Sequence, residues 1–261
     1  MRVTLIQSML HWEDAAANRS MFTAKMAALE GATDLIVLPE MFTTGFSMRS
    51  ADLAESMDGA TVAWMREQAR LTDAAIYGSA IITEGGAHYN RGLFVTPSGE
   101  VTVYDKRHLF RFANENEHYS AGTQRVVVEW RGWRWLLQIC FDLRFPVFAR
   151  AQSRDGRADY DAILYVANWP EARRYPWSQL LIARAIENQC YVVGVNRVGM
   201  DGKGNHYSGD SVVIDPRGSV LQQLEPSAEG MCTTALDRDS LEDFRVKFPV
   251  SRDADAFDLH L

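Results

Sequence analysis

Two short segments, Pro97-Ser98-Gly99-Glu100 and Asp215-Pro216-Arg217-Gly218, constrain what this chain can fold into more than any other feature. Each sits between apolar stretches of strand length, residues 93–96 and 101–104 for the first and 211–214 and 219–224 for the second, and such turn residues close a hairpin. Hairpins are antiparallel pairs. Elsewhere strands and helices alternate. A strand is expected at 3–7, then a helix at 15–30 whose Phe22, Met26 and Leu29 recur at helical spacing. A strand at 34–38 stops at Pro39; a helix follows at 59–71 with Val62, Met65 and Ala69 on one face, then a strand at 75–82. Strands at 133–140, 162–166 and 191–196 and a helix at 175–189 complete the pattern. Antiparallel pairs inside a β-α alternation exclude a purely parallel doubly wound sheet. No Pro-, Gly- and Ser-rich linker divides the 261 residues, so a single domain over 1–261 is expected, with a polar tail after about residue 251.

Composition narrows the function. With 47% apolar and 23% charged residues the chain can build a core and is not intrinsically disordered. No apolar run approaches the ~20 residues of a membrane span. A net charge of −7 argues against a nucleic-acid partner, whose binding rests on clustered cations. The opening MRVTLIQS lacks the apolar core and cleavage site of an export signal and reads as a strand, which favours a cytoplasmic protein. Cys140, Cys190 and Cys232 are an odd number without CxxC spacing, as expected of reduced thiols. The six histidines form no HExxH or paired Cys/His pattern, so no metal site is expected.

Several apolar strands end abruptly in polar or reactive residues: LIVLP runs into Glu40, WLLQI into Cys140, and AILYVA into Asn168-Trp169. Strand ends are where α/β folds place their sites. Any one such ending is weak, because a carboxylate there is ordinarily solvated and a lone cysteine ordinarily packs as a small hydrophobe. Cys140 stands out because FDLRFP follows it, with charge directly after the thiol and a proline able to open a helix. A cysteine at a sharp strand-to-helix turn is exposed, and a helix start favours thiolate. No histidine has a context that marks it as a base for this cysteine, which disfavours a cysteine-histidine hydrolase. Glutamate and lysine remain, the latter in YDKRHLF around Lys106.

LPE around Glu40, YDKRHLF around Lys106 and CFDLRFP around Cys140 resemble, in order and spacing, the three signature segments of the nitrilase superfamily of carbon-nitrogen hydrolases. The similarity runs from the first strand to about residue 248 and includes ARAIENQCYVVGVNRVG and SGDSVVIDPRG. The resemblance implies an α/β fold, a four-layer α-β-β-α sandwich of two mixed sheets, and a homodimer, with no cofactor. It makes Glu40 the general base, Lys106 the oxyanion-stabilising cation and Cys140 the nucleophile. A second glutamate before a glycine turn is implied as well. Glu115, seven residues before Gly122, fits that place better than Glu117, within a crowded Asn114-Glu115-Asn116-Glu117-His118 run. Asp142 and Arg144 are expected to brace the cysteine turn as a charge pair.

The chemistry explains these residue types. An amide is a poor electrophile with a poor leaving group, so attack needs a thiolate and departure needs a proton; one carboxylate can serve both steps and then activate water against the thioester. Lys106 and the Phe141 backbone N–H would hold the oxyanion. The wording YDKRHLFRFANENEHYSAG, CFDLRFPVFAR and ANWPEARRYPW is similar to the omega-amidase branch, which hydrolyses the terminal amide of 2-oxo acids such as 2-oxoglutaramate. Arg173 and Arg174, on the loop after the Asn168-Trp169 strand end, are candidates to pair the substrate carboxylate, with Trp169 and Tyr207 as walls. Two other readings stand beside this one. One is a related hydrolase of nitriles, N-carbamoyl compounds or aliphatic amides. The other is a non-catalytic binding or scaffold protein on the same fold, which the presence of all three triad residues disfavours.

Overall fold

The computed structural model describes residues 1–154 and 157–259. One sheet contains β1 (Arg2–Gln7), β2 (Leu35–Val37), β3 (Ala75–Glu84), β4 (Ala87–Val95), β5 (Val101–Asp105) and, from the far end of the chain, β16 (Gly230–Ala235), in the order β16-β1-β2-β3-β4-β5. The other contains β6 (Val127–Trp130), β7 (Trp133–Ile139), β10 (Ala162–Ala167), β11 (Tyr191–Asn196), β14 (Val212–Ile214) and β15 (Val220–Gln223), in the order β15-β14-β11-β10-β7-β6. Two small ribbons, β8 (Ser153–Arg154) with β9 (Arg157–Ala158) and β12 (Val198–Met200) with β13 (His206–Ser208), lie outside both sheets. The helices are α1 (Ala15–Met26), α2 (Ser50–Leu53), α3 (Ala60–Thr72), α4 (Glu115–His118), α5 (Pro146–Ala149), α6 (Arg174–Asn188) and α7 (Arg238–Lys247). None is long and apolar enough to cross a membrane.

Both sheets are mixed, and they repeat one pattern. From β16 the successive pairs are antiparallel, parallel, parallel, antiparallel, antiparallel. From β6 the second sheet runs through the same series. Both hairpins expected from the turn chemistry are present, β4 with β5 and β14 with β15. A third, β3 with β4 across Gly85-Gly86, has its pairing continue from Ile76↔Val95 out to Glu84↔Ala87. Its second strand begins with the polar run Ala87-His88-Tyr89-Asn90-Arg91, which gives no apolar strand signal. The helix expected at 15–30 ends at Met26, although Leu29 beyond it is still buried.

Period-two alternation produces the layers. In β2, Leu35 and Val37 face the other sheet while Ile36 faces α1 and α3; in β3, Ala75 and Tyr77 face inward and Ile76 outward. Phe22 and Met26 of α1 and Val62, Met65 and Ala69 of α3 cover the outer side of the first sheet. On the second sheet α6 takes the same role: a Cβ on Gly194 of β11 would lie 2.7 Å from Leu181 and 3.0 Å from Trp177. The result is a four-layer α-β-β-α sandwich. Three consecutive parallel strands of the second sheet, β7, β10 and β11, end at Cys140, Asn168 and the turn after Asn196. In the first sheet β2 leads to Glu40 and β5 to Lys106.

Candidate active site

Glu40, Lys106 and Glu115 meet in a space fully closed to solvent. Lys106 Nζ lies 2.7 Å from Glu40 Oε1 and 3.1 and 3.0 Å from the two oxygens of Glu115. Lys106 leaves β5 with its backbone held on both sides, its N–H donating to Asn90 O and its carbonyl accepting from Gly122 N–H. Gly122 can come this close only because it lacks a side chain; a Cβ there would sit 2.1 Å from Asp105 O. Glu115 opens the short α4 and turns inward, where Phe110 N–H donates to its Oε2 at 2.5 Å. Glu117, two residues on, is exposed, so of the two candidates only Glu115 reaches the lysine.

The second sheet supplies the thiol. Cys140 begins a 3-10 turn directly after β7 and adopts φ 45°, a left-handed conformation unusual for a residue with a side chain. That backbone presents Sγ beside the carboxylate cluster, 3.9 Å from Asn168 O. Asn168 also binds Glu40: its N–H donates to Glu40 Oε2 at 2.7 Å and its Nδ2 to Glu40 O. Phe141 N–H, second in the turn, belongs to the first-turn donors that have no partner within the helix.

Burial pushes the Cys140 thiol well above its ordinary range, and Glu40 adds to the push while Lys106 opposes it. This corrects the expectation of a resting thiolate: burial and the neighbouring carboxylates outweigh the short helix start. Burial also works against the Lys106 charge, but Glu115 and Glu40 overcome it and hold the ammonium above its usual value. Glu115 is raised by burial and by Glu40, against the pull of Lys106. The cluster therefore sets a thiol pushed toward its neutral form beside two carboxylates that share one lysine.

Cys140 opens onto a cavity of about 150 Å³. That is below the roughly 300–1,000 Å³ of ordinary ligand pockets, so it suits a small molecule. Phe46, Phe110, Phe112, Phe141, Trp169 and Tyr207 form its aromatic lining, and Arg144 and Arg173 its cationic part. Arg173 stacks over Phe110 at 5.3 Å and Phe112 at 5.8 Å, and Arg144 over Trp169 at 5.2 Å. Among the described residues neither has a carboxylate partner. Two expectations are corrected here. Arg174 does not line the cavity; Asp210 engages its Nε at 3.0 Å and its terminal nitrogen at 2.7 Å. Asp142 and Arg144 do not pair, because in a turn of three residues per repeat they do not share a face. Asp142 is fully buried and accepts instead from Ile139 N–H and Tyr104 OH, while His108 contacts it through its backbone N–H and Nδ1.

Asn90 and Ser79, which carry the hydrogen bonding beneath the two carboxylates, escape notice in the sequence. The available signal was a polar residue inside an otherwise apolar strand, as in IYGSAII. Among the described residues no group of three His, Cys, Asp or Glu side chains is placed to hold a metal ion. A larger groove, about 1280 Å³, lies beneath the C-terminal segment. It is away from Cys140, and its Arg125, Arg134 and Arg245 are engaged by Asp159 and Asp161.

The carbon-nitrogen hydrolase family profile matches residues 2–246. The chain belongs to the carbon-nitrogen hydrolase family. Among curated carbon-nitrogen hydrolases it is 48% identical to omega-amidase YafV of Escherichia coli (strain K12) over 260 residues, covering 99% of this chain and 98% of that one. It is 33% identical to 2-oxoglutaramate amidase of Bacillus subtilis (strain 168) over 223 residues, 84% of each. Its backbone superposes on the crystal structure of the carbon-nitrogen hydrolase superfamily protein XC1258 from Xanthomonas campestris with a TM-score of 0.98. That pair shares 48% identity over 100% of this chain and 99% of that one, and XC1258 carries an arsenic adduct in its active site.

Proposed function

We propose that this carbon-nitrogen hydrolase is an omega-amidase that releases ammonia from the terminal amide of small 2-oxo acids of the 2-oxoglutaramate type. The observation that carries the reading is the juxtaposition of the Cys140, Glu40 and Lys106 cluster with a small cavity whose two arginines lack acidic partners. Near-full-length similarity to omega-amidases supports it.

In the reaction, Glu40 takes the thiol proton as Sγ attacks the amide carbon, and the carbonyl oxygen becomes an oxyanion held by Lys106 Nζ and Phe141 N–H. Collapse of this adduct breaks the C–N bond, and Glu40 returns the proton to the departing nitrogen, which leaves as ammonia. A thioester on Cys140 remains. Glu40 then removes a proton from water as it attacks the thioester; the second adduct expels the sulfur, which takes that proton back from Glu40, and the 2-oxo dicarboxylate departs with its acid proton passed to solvent. Glu115 keeps the Lys106 ammonium charged and aimed. Arg173, with Trp169 and Tyr207 as walls, binds the distant carboxylate. No step needs a cofactor.

A charge-assisted bond is worth about 1.5–3 kcal/mol, so Arg173→Ala should lower kcat/KM for 2-oxoglutaramate roughly tenfold to a hundredfold and leave a neutral aliphatic amide of similar length nearly unchanged. Equal losses on both substrates would discard the arginine assignment. Wild-type preference for the neutral amide would discard the omega-amidase reading.

The same reading extends to a homodimer. Val147 of α5 and Tyr175 and Ile186 of α6 are 57%, 75% and 52% exposed on the outer helical layer, an apolar face open to a second copy. A reducing compartment, the cytoplasm, suits the three unpaired cysteines.

A further inference from the structure

We propose that Ser79 and Asn90 form a one-way hydrogen-bond relay that fixes the Glu40–Glu115 pair as proton acceptors, making Asn90 a positioning residue for the base. The inference rests on the omega-amidase mechanism only through the role of Glu40. The direction of the relay follows from its first member. Met41 N–H can only donate, and it donates to Ser79 Oγ at 2.8 Å. The hydroxyl proton of Ser79 goes to Asn90 Oδ1 at 2.8 Å. That contact and the two acceptor-only carboxylates on its other side set which way the Asn90 amide faces. Its two N–H protons are left for Glu40 Oε1 at 2.8 Å and Glu115 Oε1 at 3.1 Å.

All four carboxylate oxygens then receive donors. Glu40 accepts from Lys106 and Asn90 on Oε1 and from Asn168 N–H on Oε2; Glu115 accepts from Lys106 and Asn90 on Oε1 and from Phe110 N–H and Lys106 on Oε2. Two carboxylates facing one ammonium in a closed space would ordinarily hold a proton between them. Here every oxygen already accepts from a donor, and these donors oppose the push toward protonation that burial and Glu40 exert on Glu115. The other titratable groups near the pair are Cys140 and the neutral Tyr77, Tyr119 and Tyr207. The three hydroxyls donate elsewhere, to Gln138 O, Ser47 O and Asp201 Oδ2. Ser79 and Asn90 do not line the cavity, so their effect is on protonation and not on substrate contact.

The test compares Ser79→Ala, Ser79→Thr and Asn90→Asp with wild type. Two readouts are taken across pH 5–9: kcat/KM for 2-oxoglutaramate, and the rate at which iodoacetamide alkylates Cys140. Ser79→Ala removes the donor that anchors Asn90 Oδ1 and so weakens the amide's hold on both carboxylates, and the acid limb of both profiles should move up by about one pH unit, with KM little changed. Ser79→Thr keeps the hydroxyl and should restore the wild-type limb. Asn90→Asp places a third carboxylate against the pair and should move the limb further. If Asn90→Asp does not fold, the two Ser79 variants decide. A uniformly slower Ser79→Ala enzyme with an unmoved limb would overturn the relay, as would equal shifts in Ala and Thr. If wild type does not hydrolyse 2-oxoglutaramate, the substrate reading falls, while the alkylation profiles still decide the relay.

Discussion

At the scale of single residues, Cys140 is distinguished by its backbone and not by its titration. Its left-handed φ is tolerated because β7 and the Asp142 carboxylate, which accepts from Ile139 N–H, fix the turn on both sides. Cys190 is wholly buried, and Cys232 sits half-buried in β16 with its thiol raised by burial. Cys140 alone of the three meets a carboxylate, Glu40, able to take its proton and opens onto a cavity, so one equivalent of iodoacetamide should label it and abolish turnover, and Cys140→Ala should lower activity by at least about a thousandfold while removing the fast-labelling site, as peptide mapping would show. Fast labelling of Cys232 with activity retained would contradict this. Glu40, Lys106 and Cys140 are legible in the sequence because each ends a strand within a compact string. Asn90 is not, since its partners lie 50 and 25 positions away and only the folded sheet brings them within reach. Arg144 was misread for a related reason, because opposite charges two positions apart invite pairing that the turn geometry forbids.

At the scale of elements, strands with apolar alternation and turns with Pro-Gly chemistry were readable, while pairing partners and polar strand halves were not. The half of β4 that carries Asn90 shows this, because its residues are chosen for the cluster and the sheet edge and not for a core. The segment that pins the end of β5 has a consequence of its own. Gly122 packs against the Asp105 carbonyl so that its N–H can hold Lys106 O, and any side chain there must push the strand end away. Gly122→Ala should lower kcat tenfold to a hundredfold, because a displacement of about 1 Å in a catalytic group has effects of that order. A KM that rises as much as kcat falls would show that the glycine serves the cavity and not the lysine.

At the scale of the whole molecule, sedimentation velocity at micromolar concentration should show a species of twice 29.4 kDa. Charged substitutions at Val147 and Ile186 should shift it toward the single chain, and an unshifted boundary would place the contact elsewhere. The repeated order of strand pairings in the two sheets is invisible in the sequence, because a topology repeats without any side chain needing to. Its two halves contribute unequally to the chemistry: Glu40, Lys106 and Asn90 come from one sheet, and Cys140 and Asn168 from the other. On the proposed mechanism neither sheet alone holds the full set of reacting groups. On that mechanism turnover is a coincidence signal, present only while both sheets are seated in register, and it should be lost as soon as the two part.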